Sequence, residues 1–381
     1  MATQALVNPE LLSWARIRSS FSESVLAKKI NVKVEKILAW ENGELKPTFR
    51  QAQNFARVTN TPFGFLFLPA PPKETLPIPD LRTVDGIHLD GLSTELRDVL
   101  EQVLHKQDWY RDYLLSNDEE ALPFIGKYNV NSSVADVVNN IRETLGVSIP
   151  LRGTWDEYQR DLIAGAEAAG ILVMRSGIVG NNTHRKLQVS EFRGFAISDN
   201  LAPIIFINSS DAPTARLFTL IHELAHLWLG ISGISDNAHS QGKIAHAKEE
   251  KFCNAVAGEF LVPQNLLKKL WRENDSLINN LSILATKFHV SKLVVARRAL
   301  DVGFISNETY REYYQSELEA FRNKSGGGGD FYRTAGAKNS TNFSSAIVSE
   351  ALSGRMLLRD AGQLLGVAPH AIQTYARKLA L

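Results

Sequence analysis

Apolar side chains recur three and four residues apart through the first stretch of the chain. They stand at Leu11, Leu12, Ala15 and Ile17, at Val25, Leu26 and Ile30, at Val34, Ile37, Leu38 and Trp40, and at Ala52, Phe55, Ala56 and Val58. That spacing predicts a bundle of short helices over residues 8 to 68. Asn42-Gly43 supplies a turn, and Pro47-Thr48 opens the next helix. Short helices joined so tightly predict a helix-turn-helix.

The pattern then changes. Leu68 to Pro79 carries five prolines in twelve positions, which favours extended polyproline II backbone and predicts a linker over residues 71–90. Helical periodicity returns at Ser93 to Leu115 and at Val134 to Leu145, the latter with Ser133 and Asp136 near its N-terminal cap. Trp155 to Ala169 reads as a further helix, stopped by Gly170. Ile171 to Met174 is short and apolar and reads as a strand; Phe192 to Ile197 with Pro203 to Asn208 reads as a β-hairpin. Asp211 is the expected N-cap of the following helix, with Pro213 in its first turn. Helices before and after a small sheet predict an α+β fold, mostly helical.

That following helix is apolar almost all the way round, through Leu217, Phe218, Leu220, Ile221, Leu224, Leu227, Trp228 and Leu229, which predicts burial. Its polar positions are His222, Glu223 and His226. Residues four apart share a helix face, so both imidazoles can reach one ion, and zinc suits them. A buried polar group needs a partner, and a metal supplies one. A zinc peptidase site also needs a third protein ligand and an open fourth position. Leu229 and Ser232 exclude the solution in which a third histidine follows on the same segment. The next predicted helix offers Glu250 and Asn254 on one face, Glu250 as third ligand and Asn254 as hydrogen-bond partner of a ligating histidine. Glu223 is then the general base that takes a proton from water and passes it to the leaving amine. Cys253 reads as a small buried residue, with a fourth ligand as the alternative. His239 and His246 lie in a loop between the motifs, on the surface or lining the cleft.

Composition narrows the setting. The 381 residues are 44% hydrophobic and 22% charged, enough for two or three folded domains. A net charge of +1 gives no bulk attraction to nucleic acid or membrane, so any such binding must come from a local patch. Residues 8 to 60 hold one: nine Lys or Arg against five Glu, a balance of +4. The single cysteine excludes an internal disulfide and fits a reducing compartment. No apolar stretch approaches membrane-spanning length, and the first residues lack a basic region followed by an apolar run, so a cytoplasmic location without membrane contact is expected.

Two resemblances follow from these residues. Leu26 to Val32, Ile37, Trp40-Glu41-Asn42-Gly43 and Pro47-Thr48 resemble the repressor-type (Xre) helix-turn-helix family. The resemblance implies operator DNA as a partner, with the helix ending at Trp40-Glu41 in the major groove and Lys28, Lys33, Lys36 and Lys46 as DNA contacts. Members usually offer more polar side chains on that helix than Val34, Glu35, Leu38 and Ala39; a glutamate there accepts from cytosine but repels phosphate. His222 to His226, then Glu250, Asn254, Ala257 and Phe260-Leu261-Val262-Pro263, resemble the ImmA/IrrE family of zinc metallopeptidases over residues 80 to 325. Cys253 and Val256 stand where that family usually has Ala and Phe. The resemblance implies Zn2+ on His222, His226 and Glu250, and fusion to an Xre domain is a known arrangement.

The expected domains are a helix-turn-helix unit over 1–70, the linker over 71–90, a zincin-like peptidase domain over 91–325, and a glycine linker with a small helical module over 326–381. Leu281 to Leu300 resembles helix-turn-helix again but is expected to pack on the peptidase core. Asp360 to Val367 is one more helix-turn-helix-like phrase, of unassigned role. Three functions compete. The first is a DNA-tethered zinc endopeptidase that cleaves a repressor, an antitoxin-like partner or itself. The second is a repressor or antitoxin that binds DNA and a neighbouring-gene toxin through a zinc domain without turnover. The third is a structural metal, which Glu223 argues against because a closed site has no use for a base. A second copy of the chain is a further expected partner.

Overall fold

The computed structural model describes residues 3–19, 21–72, 92–150, 153–235, 244–322 and 338–379. Most of the predicted linker over 71–90, the run Gly326 to Gly329 and His239 lie outside the described residues, as does the side chain of His246. Among the described residues there are sixteen α-helices and one four-stranded sheet, an α+β fold that is mostly helical. No described helix is long and apolar enough to cross a membrane. The chain forms two compact units, Met1–Pro77 with Gly86–Gln102, and Ile78–Asp85 with Val103–Leu381.

The first unit packs α1 (Pro9–Arg18), α2 (Glu23–Ile30), α3 (Val34–Glu41) and α4 (Phe49–Val58) around Leu12, Leu26, Ile37, Trp40 and Phe55. Local chemistry sets the helix starts. Asn8 accepts from Glu10 N, Ser22 accepts from Val25 N, and Thr48 forms a reciprocal capping box with Gln51. Asn31 ends α2 in the left-handed region at φ 58°, and only Val32 and Lys33 separate it from α3. Arg16 of α1 grips Glu41 at the end of α3 through Nε–Oε1 at 2.7 Å and Nη2–Oε2 at 2.8 Å, and reaches Glu23 at 2.9 Å. Ile17, Val25 and Leu38 depart from the expected core, being 66%, 44% and 43% exposed. At about 100° per residue each sits well round from its helix's buried stripe, so spacing to one apolar neighbour overstated the stripe's width.

In the second unit the sheet runs β1 (Leu172–Ser176), β3 (Ile204–Asn208), β2 (Gly194–Ile197), β4 (Gly233–Ser235). The hairpin partners β2 and β3 are antiparallel, β1 joins β3 in parallel, and β4 adds antiparallel to β2. The edges are therefore β1 and β4. Helix α8 (Pro213–Leu229) leaves β3 after a short turn and packs on β2, β3 and α9 (Ile244–Leu261). Helices α11 (Leu277–Phe288) and α12 (Lys292–Val302) put Leu281, Leu284, Phe288, Val294 and Val295 into the same core. The chain ends in α14 (Thr341–Leu352), α15 (Leu358–Leu365) and α16 (Ile372–Lys378). Glu167, at the end of α7 (Trp155–Ala168), staples this module to β1: its carboxylate accepts from Val173 N at 3.0 Å, Ser340 Oγ at 2.8 Å and Asn342 N at 2.9 Å.

Candidate metal centre

Helix α8 is held rigidly at its C-terminal end. Gly230 takes the left-handed conformation at φ 70°, and the loop before α6 (Val134–Leu145) returns to satisfy the last carbonyls. Gly126 N donates to Leu227 O and Tyr128 N to Trp228 O, both at 3.0 Å. The approach is close enough that a Cβ on Gly230 would lie 2.9 Å from Gly126 Cα. Phe124 stacks on Trp228 with ring centres 4.5 Å apart, and the indole donates to Asn140 Oδ1 at 2.9 Å. At the other end the N-cap is Ala212, with no side-chain cap. Asp211 falls one residue early; its Oδ1 accepts from Ala212 N at 2.8 Å, and its carboxylate lies 3.5 Å from Arg193.

His222, Glu223 and His226 are all buried, Glu223 completely. The two Nε2 atoms face each other at 3.0 Å. Glu250 of α9 closes the triangle, with Oε2 3.3 Å from His222 Nε2 and Oε1 3.1 Å from His226 Nε2. Two imidazole lone pairs cannot face each other so closely without a proton or a cation between them. Ligands about 2.0–2.1 Å from a tetrahedral zinc ion stand about 3.3 Å from one another, close to the three separations found here. The donor set and its spacing therefore fit zinc. Among the described residues this is the group of histidine, cysteine and carboxylate side chains able to hold a metal ion.

The electrostatics agree. Burial works to raise the Glu250 pKa, but hydrogen bonds from His222 and His226 outweigh it and hold the carboxyl well below its usual range. Burial likewise opposes the charged form of His222, yet the Glu250 hydrogen bond and the charges of Glu223 and Glu250 raise its pKa; a bond with Asn254 adds to the rise. Asn254 thus reaches a histidine of the cluster, although it is itself exposed. Cys253 is completely buried, and burial pushes its thiol well above its ordinary value, so it sits in the core beside the group and outside it. Glu250 also lines a cleft of about 680 Å³ between α9 and α12, with Phe218, Asn254, Gly258, Val294 and Arg297.

Pattern reading passed over some of the supporting residues. Gly194 of β2 lies under the site: a Cβ there would stand 2.6 Å from Thr219 Cγ2, 2.9 Å from Phe206 O and 3.0 Å from Glu223 Oε1. A glycine inside an apolar strand was the available signal. Asn140 and the loop of Phe124 to Tyr128 gave none. The lysines expected at DNA belong to the first unit. Lys28, Lys33 and Lys46 are exposed, and Lys36 is half-buried with Nζ 5.7 Å from the Trp40 ring centre.

A buried helix offering two histidines one turn apart and a carboxylate from the next helix, with a small sheet alongside, make a group able to hold a metal ion. Residues 166–300, which contain all of these elements, match the M78 peptidase family model, described as the IrrE N-terminal-like domain. Residues 339–378 match a domain of unknown function, DUF8813. No curated protein matches the chain.

Proposed function

We propose that the chain is a DNA-bound regulator carrying a zinc-dependent endopeptidase that cleaves a specific regulatory protein. The observation that carries this reading is the convergence of His222, His226 and Glu250 with the buried carboxylate of Glu223 one residue from the first ligand. Zinc held by the three residues supplies Lewis acidity, lowering the pKa of water and polarising the scissile carbonyl. Glu223 does the proton work, accepting from the attacking water at a carboxylate oxygen and delivering to the amine nitrogen as it leaves. Phe218 packs beside His222 with ring centres 6.4 Å apart.

Strand β4 is an edge of the sheet and follows directly on α8; the Cβ direction of Gly233 points to within 3.9 Å of His226 Cε1. An extended substrate pairing with that edge runs past the metal ligands, and the cleft beside Glu250 receives a neighbouring side chain. For the DNA part, the support is the tight turn at Asn31 between α2 and α3 with Lys28 and Lys33 exposed beside it, and Lys46 exposed in the loop between α3 and α4. The test is to incubate zinc-loaded protein with the products of neighbouring genes and to follow cleavage by mass spectrometry, beside Glu223→Gln. Cleavage by the parent, with a loss of roughly 10²–10⁴-fold in the variant at equal zinc content, is the expected result. Equal activity of the two proteins sinks the reading.

A further inference from the structure

The C-terminal module places two short helices about a tight turn. Helix α15 ends at Gly366 in the left-handed conformation, φ 69°, and Val367 N donates back to Gly362 O at 2.9 Å. The turn runs so close to α15 that a Cβ on Gly362 would stand 2.7 Å from Val367 O. A single 3-10 turn, Pro369–Ala371, leads into α16. Ile372, Tyr375 and Ala376 bury the inner face of α16, and the Tyr375 hydroxyl lies 3.0 Å from Ser344 Oγ. The outer face presents Gln373, Thr374, Arg377 and Lys378, all exposed, and His370 is exposed on the turn before it. Gln and Arg are the side chains whose planar ends bond the edges of adenine and guanine, and Lys and Arg neutralise phosphate.

A separate element sits against this turn. Residues 177–187 fold into a small hairpin through Val179 N to Arg185 O and Leu187 N to Gly177 O, both at 2.9 Å, with an antiparallel bridge between Ile178 and Lys186. Asn181 Nδ2 donates to Gly366 O at 2.7 Å, tying the hairpin to the residue that turns α15 into α16. Lys338 Nζ binds Gly180 O and Asn181 Oδ1 and locks it from the other side. The hairpin carries Asn182, Thr183, His184 and Lys186 exposed, with Arg185 half-buried. Residues 177–190 and 358–379 contain Arg185, Lys186, Arg359, Arg377 and Lys378 against one carboxylate, Asp360, a balance of +4 in a chain whose total is +1.

We propose that α15, α16 and the hairpin of residues 177–187 form a duplex-DNA-binding face, with α16 entering the major groove and the hairpin following the backbone beside it. Charge complementarity selects the occupant: a surface with a balance of +4 and one carboxylate, Asp360 beside Arg359, offers amide, hydroxyl, guanidinium and ammonium donors that match phosphate and base edges. The face is distinct from the lysines around α2 and α3, so one chain would hold DNA at two places, and its affinity would exceed that of either contact alone.

The test uses the full chain and a labelled mixed-sequence duplex, read by fluorescence anisotropy over a salt series. The α2–α3 region is first silenced with Lys28→Ala, Lys33→Ala and Lys36→Ala. The silenced chain is expected to keep binding duplex at low salt. Adding Lys186→Ala with Arg377→Ala is expected to weaken it about tenfold and to lower the slope of log affinity against log salt by about 2. Thr374→Glu, a change at an exposed position remote from the core, is expected to weaken binding comparably, with thermal unfolding unchanged in each variant. The proposal is overturned if the silenced chain binds no duplex, if single strands compete as well as duplex, or if these variants leave affinity and slope untouched, including the case where they abolish capture of a protein instead.

Discussion

Glu250 Oε1 lies 3.1 Å from His226 Nε2, although the two residues belong to different helices. The pairing converts two separate sequence signals into one group of donors. It rests on the packing of α8 against α9, where Leu224, Ala225, Val256 and Ala257 are all buried.

Because the three donors converge only in the folded chain, metal binding is coupled to stability. Zinc at about one hundred times its dissociation constant is expected to stabilise the second unit by about 2.7 kcal/mol. Chelation reverses this, and Glu250→Gln removes most of it. Thermal unfolding with and without zinc, beside metal stoichiometry, reads the effect.

Gly194→Ala is expected to destabilise the second unit by roughly 1–3 kcal/mol, the usual range for overpacking. The added methyl meets Thr219 and the Phe206 carbonyl and crowds Glu223. Activity is expected to fall more than zinc content, because the carboxylate moves while His222, His226 and Glu250 remain. Turnover and metal analysis on the same preparation separate the two.

In the first unit, Glu41→Gln leaves the Arg16 guanidinium beside a neutral amide. The hydrogen bond with Glu41 raises the Arg16 pKa, outweighing the burial that opposes its charge, and the charges of Glu41 and Glu23 add to the rise. The loss is expected to be roughly 2–4 kcal/mol, at the lower end because Glu23 remains a partner. Hydrogen exchange of the α1 and α3 amides reports it, with the amides of α8 as an unaffected control.

Lys106 gives the second unit a pH dependence. Its ammonium is buried, with Nζ 2.6 Å from Asn339 Oδ1, and burial together with the charge of Lys338 lowers its pKa from 10.5 to about 7. Between those values the unfolded chain holds a proton that the folded chain does not, so stability rises with pH through this window and is lowest below it. A rise of roughly 1–3 kcal/mol between about pH 7 and pH 9 is expected, less than the full shift implies because the lysine stem is partly exposed. Lys106→Met is expected to flatten most of that rise, with a remainder from Lys338, which burial lowers to about 8. Urea titrations at the two pH values measure both.

Some of this was legible in the chain and some was not. The apolar surround of His222 and His226 made a buried helix readable, because a stripe widened to the whole circumference leaves no alternative. The four-residue spacing of Glu250 and Asn254 put both on one face, and both do reach His222. Strand order was not readable. Parallel pairing of β1 with β3 and the addition of β4 beyond the hairpin depend on contacts between distant segments, which no local pattern records. The N-cap moved from Asp211 to Ala212 because the Asp211 carboxylate is taken up by the Ala212 amide and by Arg193. Ile17, Val25 and Leu38 were read inward since a short helix offers too few turns to fix its inner stripe from spacing alone.

The contact between Gly126 and Gly230 bears on how such chains diverge. Both residues have positive φ, 65° and 70°; a Cβ on Gly230 would lie 2.9 Å from Gly126 Cα, whereas one on Gly126 would stand 3.5 Å from Gly230 Cα, an ordinary contact. A substitution at either position is strained on its own and is not relieved by any change at its partner short of moving the loop. Drift in the segment ahead of α6 is therefore confined by a residue beyond the end of the motif helix, and of the two glycines Gly230 is expected to be the harder to replace.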